Sequence, residues 1–164
     1  MSKSVLLLGS NLQHRESIIA KAIAIIGQLN ECKILNKSNL YESEAWGFES
    51  VNHFLNQSIE IETSLHPTTL LKALLNIENQ LGRVRKHAGY ESRIIDIDIL
   101  FYDHLVINLT ELNIPHPRLH LRRFTLICLV EIIPNFIHPT LQKSIQQLHD
   151  ECIDYSKVWT YEPH

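Results

Sequence analysis

At 164 residues, 45% apolar and 20% charged, the chain has the size and composition of one globular domain and not of a disordered or fibrous segment. Its net charge of -3 gives no electrostatic reason to expect nucleic acid or an anionic membrane as a partner. The cysteines Cys32, Cys128 and Cys152 lie far apart without a C-x-x-C pair, which argues against a disulfide framework or zinc ribbon and for free thiols in a reducing compartment.

Residues 5–8 form a short apolar run stopped by Gly9-Ser10-Asn11. This is the pattern of a buried first strand ending in a tight turn that Gly9 permits. The run is too short for a signal peptide or membrane span, so a cytoplasmic location is expected. Ile18, Ile19, Ala22, Ile25, Ile26 and Leu29 recur at helical spacing. A second strand is expected over 33–43. Residues 44–54 break periodicity with Trp46, Gly47, Phe48 and Asn52, as a functional loop does. Over 57–63 Ile59 and Ile61 alternate with Glu60 and Glu62, a strand covered on one face. Pro67 suits a helix start, Leu70, Leu71, Leu74, Ile77 and Leu81 supply its stripe, and Gly82 suits its end. A basic loop, 83–93, precedes the clearest strand, 94–101. Val106-Ile107 is read as continuing a hairpin after Tyr102-Asp103-His104. Pro115 and Pro117 keep 113–118 extended or turned. A helix should run from Arg122 to before Pro134, and a last short one over 140–148. No repeat or break divides the chain, so 1–164 is read as a single domain. The order β-α-β-β-α-β with C-terminal helices predicts an α+β ferredoxin-like sandwich: a largely antiparallel sheet with flanking helices, two of them on one face.

The sharpest chemical signal lies in the strand 94–101. Side chains alternate along a strand, so Asp96 and Asp98 project together, roughly 6.5–7 Å apart at their Cα atoms. Ile95, Ile97, Ile99 and Phe101 should bury the opposite face. Two such carboxylates repel each other, and a divalent cation relieves the repulsion. Hard oxygen ligands suit Mg²⁺, shared with substrate phosphates, and two metals could be held together. A solvated sheet face is the alternative for D-x-D alone. Arg83, Arg85, Lys86 and Arg93 upstream, with Arg118, Arg122 and Arg123 downstream, bracket the pair with groups suited to phosphate. Neither G-x-x-x-x-G-K-[ST] nor G-x-G-x-x-G occurs, which removes P-loop, dinucleotide-binding and protein-kinase readings.

Three segments then come in order: Leu81-Gly82-Arg83-Val84-Arg85, Arg93-Ile94-Ile95-Asp96-Ile97-Asp98-Ile99-Leu100, and Pro115-His116-Pro117-Arg118-Leu119-His120-Leu121-Arg122-Arg123-Phe124. With Gly9-Ser10-Asn11-Leu12, Tyr41-Glu42-Ser43 and Phe54-Leu55-Asn56, they resemble the 6-hydroxymethyl-7,8-dihydropterin pyrophosphokinases of folate biosynthesis. The resemblance covers about residues 5 to 135. It implies the ferredoxin-like fold and transfer of pyrophosphate from ATP to the hydroxymethyl pterin. It implies that Asp96 and Asp98 bind two Mg²⁺, and that Glu78, Arg83, Arg93, Ile99, His116 and Arg122 serve ATP, with Arg83 and Arg93 also catalytic. Ser43, Ala45, Trp46, Phe54, Asn56 and Phe124 would serve the pterin, the two phenylalanines sandwiching its ring. Small-molecule substrates, no nucleic acid, no membrane and a monomer follow as expectations. Two positions depart from the family pattern: Tyr90-Glu91-Ser92-Arg93 stands where Trp-Gly-Pro-Arg is common, and Leu75 where glutamine is frequent. The loops 44–53 and 83–93 are expected to close over ATP.

Two other readings compete. A ferredoxin-like RNA-binding module would expose aromatic side chains on its strands, whereas this strand exposes aspartates. A nucleotidyl transferase could use the same carboxylate pair, but it would release pyrophosphate instead of AMP.

Overall fold

A computed structural model of the chain describes residues 1–12, 14–44, 53–82 and 94–162. Strand β1 (Ser2–Ser10) is followed by helix α1 (Arg15–Gln28), then strands β2 (Cys32–Lys37), β3 (Tyr41–Ser43) and β4 (Phe54–Thr63). Helix α2 (Pro67–Gln80) leads to strand β5 (Asp96–Tyr102) and a small ladder, β6 (Ile107–Asn108) with β7 (Asn113–Ile114). Helices α3 (Arg123–Ile132) and α4 (Ile145–Glu151) precede a last strand, β8 (Val158–Thr160). The main sheet runs β5-β1-β4-β3-β8, with β2 also on β4, and every pairing is antiparallel. Among the described residues no helix is long and apolar enough to cross a membrane.

The β1 run Val5-Leu6-Leu7-Leu8 is buried on both sides, and its two sets of side chains found two cores. Leu6 and Leu8 join Ile19, Ala22 and Ile26 of α1 and Leu70, Leu74 and Ile77 of α2. Val5 and Leu7 join Leu126, Cys128 and Leu129 of α3 and Ile145 and Leu148 of α4. The sheet is therefore covered by α1 and α2 on one face, as the α+β pattern predicts, and partly by α3 and α4 on the other. Each fully buried Leu or Ile contributes about 1.5–3 kcal/mol.

Several details differ from the sequence reading. β1 continues through Gly9 to Ser10, so Gly9 lies within a strand and makes no turn there. The stretch 33–43 is two strands along one side of β4, interrupted over 38–40 between the Lys37–Ile59 and Tyr41–Asn56 pairs, and the β2–β4 register also shifts between Ile34 and Asn36. Ser38 bridges the gap: its N–H donates to Ser58 O, and its hydroxyl accepts from Ser58 N–H. The register of β5 on β1 also shifts between Val5 and Leu6, leaving Leu100 without a partner. Beyond that bulge Phe101 turns into the α3–α4 core, away from the face of Ile97 and Ile99 to which alternation assigned it. Residues 107–108 pair with 113–114 and not with β5. The last helix starts at Ile145, where Ser144 and Gln147 form a capping box, because 138–144 is a turn with Gln142 at φ 58°. β8 was not anticipated.

Candidate active site

The strand registers gather the candidate residues on the α3–α4 side of the sheet. Asp96 pairs with Gly9, Gly9 with Asn56, and Asn56 with Tyr41, so these four lie in one row across β5, β1, β4 and β3. Directly paired residues share a face, and two strand spacings put the backbones of Asp96 and Asn56 about 10 Å apart. Asp98, paired with Leu7, stands beside Asp96 on the same face; both aspartates are half-buried, whereas Ile97 and Ile99 between and beyond them are buried against α1 and α2. The apolar face of β5 thus fixes which way its carboxylates point.

Gly9 forms the floor between the two halves of this row. A Cβ there would come within 3.2 Å of Asn56 Oδ1 and 3.9 Å of Phe54 Cδ1. The bare backbone leaves a slot beside Asn56 and Phe54, a role that glycine within a strand often marks. Asn56 Nδ2 donates to Ser43 Oγ at 2.9 Å, and both residues are buried. Phe54 lies two residues before Asn56 on the same face of β4.

On the other side of the aspartates, His116 N–H donates to Leu100 O at 3.0 Å, which ties the segment after β7 to β5. His116 Nδ1 accepts from Arg118 N–H at 3.2 Å, leaving the proton on Nε2, 4.0 Å from Asp98 Oδ2. Burial, and then the charge of Arg122, lower the His116 pKa to about 4, against the opposing pull of Asp96. The ring is therefore neutral at pH 7, and its approach to Asp98 is not an ion pair. Arg122 is buried at the start of α3, its guanidinium carbon 6.0 Å from the centre of the Phe124 ring, and Phe124 packs on the α3–α4 core. Glu78, on the last turns of α2, is buried; its Oε2 accepts from Ile97 N–H at 2.7 Å. It thereby caps the free edge of β5 between the two aspartates.

The structure brings Ser43, Phe54, Asn56, Asp96, Asp98, His116, Arg122 and Phe124 to the same side of the sheet. Ile99 differs: its side chain is in the α1–α2 core, so only its main chain, on the β5 edge, faces outward. Ala45, Trp46, Arg83 and Arg93 lie outside the described residues, as do the expected closing loops apart from Glu44 and His53. Gly9 was missed as a site residue, and so was the β8 segment behind Ser43; Gly9 follows a continuous apolar run and precedes Ser10-Asn11, so no local signal sets it apart from a turn glycine.

A family model for 7,8-dihydro-6-hydroxymethylpterin-pyrophosphokinase matches residues 5–134. The 2-amino-4-hydroxy-6-hydroxymethyldihydropteridine pyrophosphokinase of Aquifex aeolicus is 41% identical over 144 residues, spanning 88% of this chain and 88% of that protein. The enzyme of the same name from Bacillus subtilis is 39% identical over 125 residues, 76% of this chain and 74% of the other. Among solved structures, a Plasmodium falciparum HPPK-DHPS with pterin and p-hydroxybenzoate is similar at a TM-score of 0.72 and 21% identity. That match covers 92% of this chain and 41% of the larger one, so the chain spans less than half of it, and the likeness concerns the fold. These matches define a diphosphotransferase on an α+β ferredoxin-like frame. The chain belongs to the 7,8-dihydro-6-hydroxymethylpterin-pyrophosphokinase family, and its reaction is a pyrophosphoryl transfer in folate biosynthesis.

Proposed function

We propose that the chain moves the β,γ-pyrophosphoryl group of ATP onto the hydroxymethyl oxygen of 6-hydroxymethyl-7,8-dihydropterin, with two Mg²⁺ held by Asp96 and Asp98. The observation that supports this reading is the row Asp96–Gly9–Asn56, which puts hard oxygen donors and the bare backbone beside Asn56 and Phe54 on one face of the sheet. The two half-buried carboxylates fit Mg²⁺, which takes its remaining ligands from phosphate and water. Bound there, Mg²⁺ would neutralise polyphosphate charge and orient the β-phosphorus.

The chain's own residues bind and align. Asn56 and Ser43 present hydrogen-bonding groups to the pterin edge, Ala45 and Trp46 help to bind it as the family resemblance implies, and Phe54 and Phe124 offer ring faces for offset stacking. Neutral His116 has its Nε2–H free of charge-pairing demands and donates it to a phosphate oxygen. Arg83, Arg93 and Arg122 hold the phosphates through their planar forks, and the main chain of Ile99 meets the nucleotide. Glu78 acts on the nucleotide side by holding the β5 edge. The acceptor oxygen attacks the β-phosphorus, the bond from that phosphorus to the α,β-bridging oxygen breaks, and AMP leaves with the electron pair. The hydroxyl proton passes to solvent. Alignment and charge stabilisation supply the rate, since a primary alcohol needs no covalent helper.

The test is a magnesium-dependent assay with ATP and the hydroxymethyl pterin, separating AMP from pyrophosphate by chromatography. AMP with a diphosphorylated pterin is expected, whereas release of free pyrophosphate would favour nucleotidyl transfer. Asp98→Ala should lower kcat by about 10³-fold or more with an unchanged far-UV spectrum. Wild-type turnover in that variant would discard the assignment.

A further inference from the structure

Directly behind the pterin side of the row, on the opposite face of the sheet, lies a polar cluster that the reaction does not use. Glu42 and Ser43 are neighbours on β3, so their side chains point to opposite faces. Ser43 faces the site, and Glu42 faces the N-terminus of α1. Glu42 Oε2 accepts from Arg15 Nη1 at 2.8 Å, and Glu42 Oε1 accepts from Trp159 Nε1 at 2.8 Å. The same Arg15 Nη1 donates to the carbonyl of His53 at 2.9 Å. The Trp159 indole meets the His53 ring edge-on, with centroids 5.1 Å apart and planes at 84°. One guanidinium and one indole therefore join the residue before Ser43 to the residue before Phe54.

The local fold needs such a tie. β3 has three residues, and its outer neighbour β8 has three. Ladders this short are marginal without side-chain support. β8 pairs Val158 with Ser43 and Trp159 with Glu42, and Lys157 N–H donates to Glu44 Oε1 at 2.8 Å. Burial by itself would raise the Glu42 pKa, but the hydrogen bonds from Arg15 and Trp159, with the charges of Arg15 and His53, outweigh it and hold the carboxyl below its ordinary range. Glu42 is thus an anion held by two donors, the arrangement in which hydrogen bonds are strongest.

We propose that Arg15, Glu42 and Trp159 form a positioning clasp that fixes Ser43 relative to Phe54 and Asn56, and so sets affinity for the pterin without touching either substrate. The proposal rests on the reading above that Ser43, Phe54 and Asn56 receive the pterin. Its distinctive consequence is a split between substrates. The clasp lies behind the pterin half of the row, whereas the nucleotide half is anchored separately, through Glu78 on Ile97 and His116 on Leu100.

The experiment uses the full chain and steady-state kinetics with each substrate varied. Trp159→Phe keeps the ring contact with His53 and removes only the N–H. It should raise KM for the hydroxymethyl pterin about tenfold, the worth of one hydrogen bond to a charged group at its lower end, with KM for ATP and kcat within about twofold of wild type. Glu42→Ala should do more, and adding Trp159→Phe to Glu42→Ala should change nothing further, because both act through one bond. Ile145→Val, in the α4 core far from the clasp, serves as a control for general softening. An unchanged pterin KM in Trp159→Phe would overturn the proposal, as would a parallel rise in both KM values matched by Ile145→Val. Additive losses in the double variant would also overturn it. A wild-type chain that forms no AMP from these substrates would instead sink the underlying assignment, and is read before any variant.

Discussion

A methyl group added at Gly9 would sit 3.2 Å from Asn56 Oδ1, closer than a carbon and an oxygen settle without displacement. Asn56 is buried and tied to Ser43 at 2.9 Å, so it cannot swing aside without losing that bond. Overpacking of this kind costs about 1–3 kcal/mol. Gly9→Ala should therefore weaken binding of the hydroxymethyl pterin by about tenfold or more, while binding of a non-hydrolysable ATP analogue changes by less than about twofold. Calorimetric titration with each ligand checks this, and equal losses for both would show that Gly9 matters to the sheet and not to the slot. The carboxylates were legible in the sequence because alternation along a single strand fixes their common face. The floor was not legible, since Gly9 stands before Ser10 and Asn11 and reads as a turn. Only the register that puts Asn56 opposite it reveals what its missing side chain does.

Single strands read well and the joints between them read poorly. β5 was recognisable from its apolar run, yet its face changes at Leu100, where the register on β1 shifts, and no local pattern announces a bulge set by the partner strand. β2 and β3 read as one strand because the serine that bridges them, Ser38, works through long-range bonds to Ser58. β8 went unseen because three residues carry too little alternation to be called a strand. The free edge of β5 supplies a prediction at this level. Ile97 N–H points away from β1, and Glu78 Oε2 is its acceptor at 2.7 Å within a buried environment. Glu78→Ala leaves that donor without its carboxylate, which costs about 1–3 kcal/mol. The urea midpoint should fall accordingly with an unchanged slope. Glu78→Gln, which keeps an acceptor oxygen, should recover most of the loss. If the two variants are equally destabilised, charge and not the edge bond is what Glu78 supplies.

The layered architecture was legible on one side only. The spacing of Ile19, Ala22 and Ile26, and of Leu70, Leu74 and Ile77, reports helices that lean on a sheet, and they do. The second layer depends on how 115–144 wraps beneath the sheet, and its fastening is histidine chemistry that a list of dispersed histidines does not expose. His138 is buried, its ring edge-on to Phe101 with centroids 5.6 Å apart, and His120 lies 6.4 Å away. His138 Nδ1 accepts from the N–H groups of Thr140 and Leu141 at 3.2 and 3.0 Å, holding the turn that precedes α4. A proton on Nδ1 would replace this acceptor with a donor facing two donors. Burial, reinforced by His120, accordingly lowers the His138 pKa from 6.5 to about 4. The unfolded chain then binds the proton more readily than the folded one, so the stabilisation is complete above pH 6.5. It declines as pH falls toward 4, by about 2–3 kcal/mol for this residue. Urea unfolding at pH 7.5, 6, 5 and 4 should show that decline, with a further share from His116, whose pKa is also lowered to about 4. His138→Asn retains an acceptor for the turn but does not titrate, and should flatten the pH dependence while unfolding first in the α3–α4 layer by hydrogen exchange. A variant with the wild-type slope between pH 6.5 and 4 would mean that acid acts elsewhere, and that the second face of the sheet is secured by apolar contact alone.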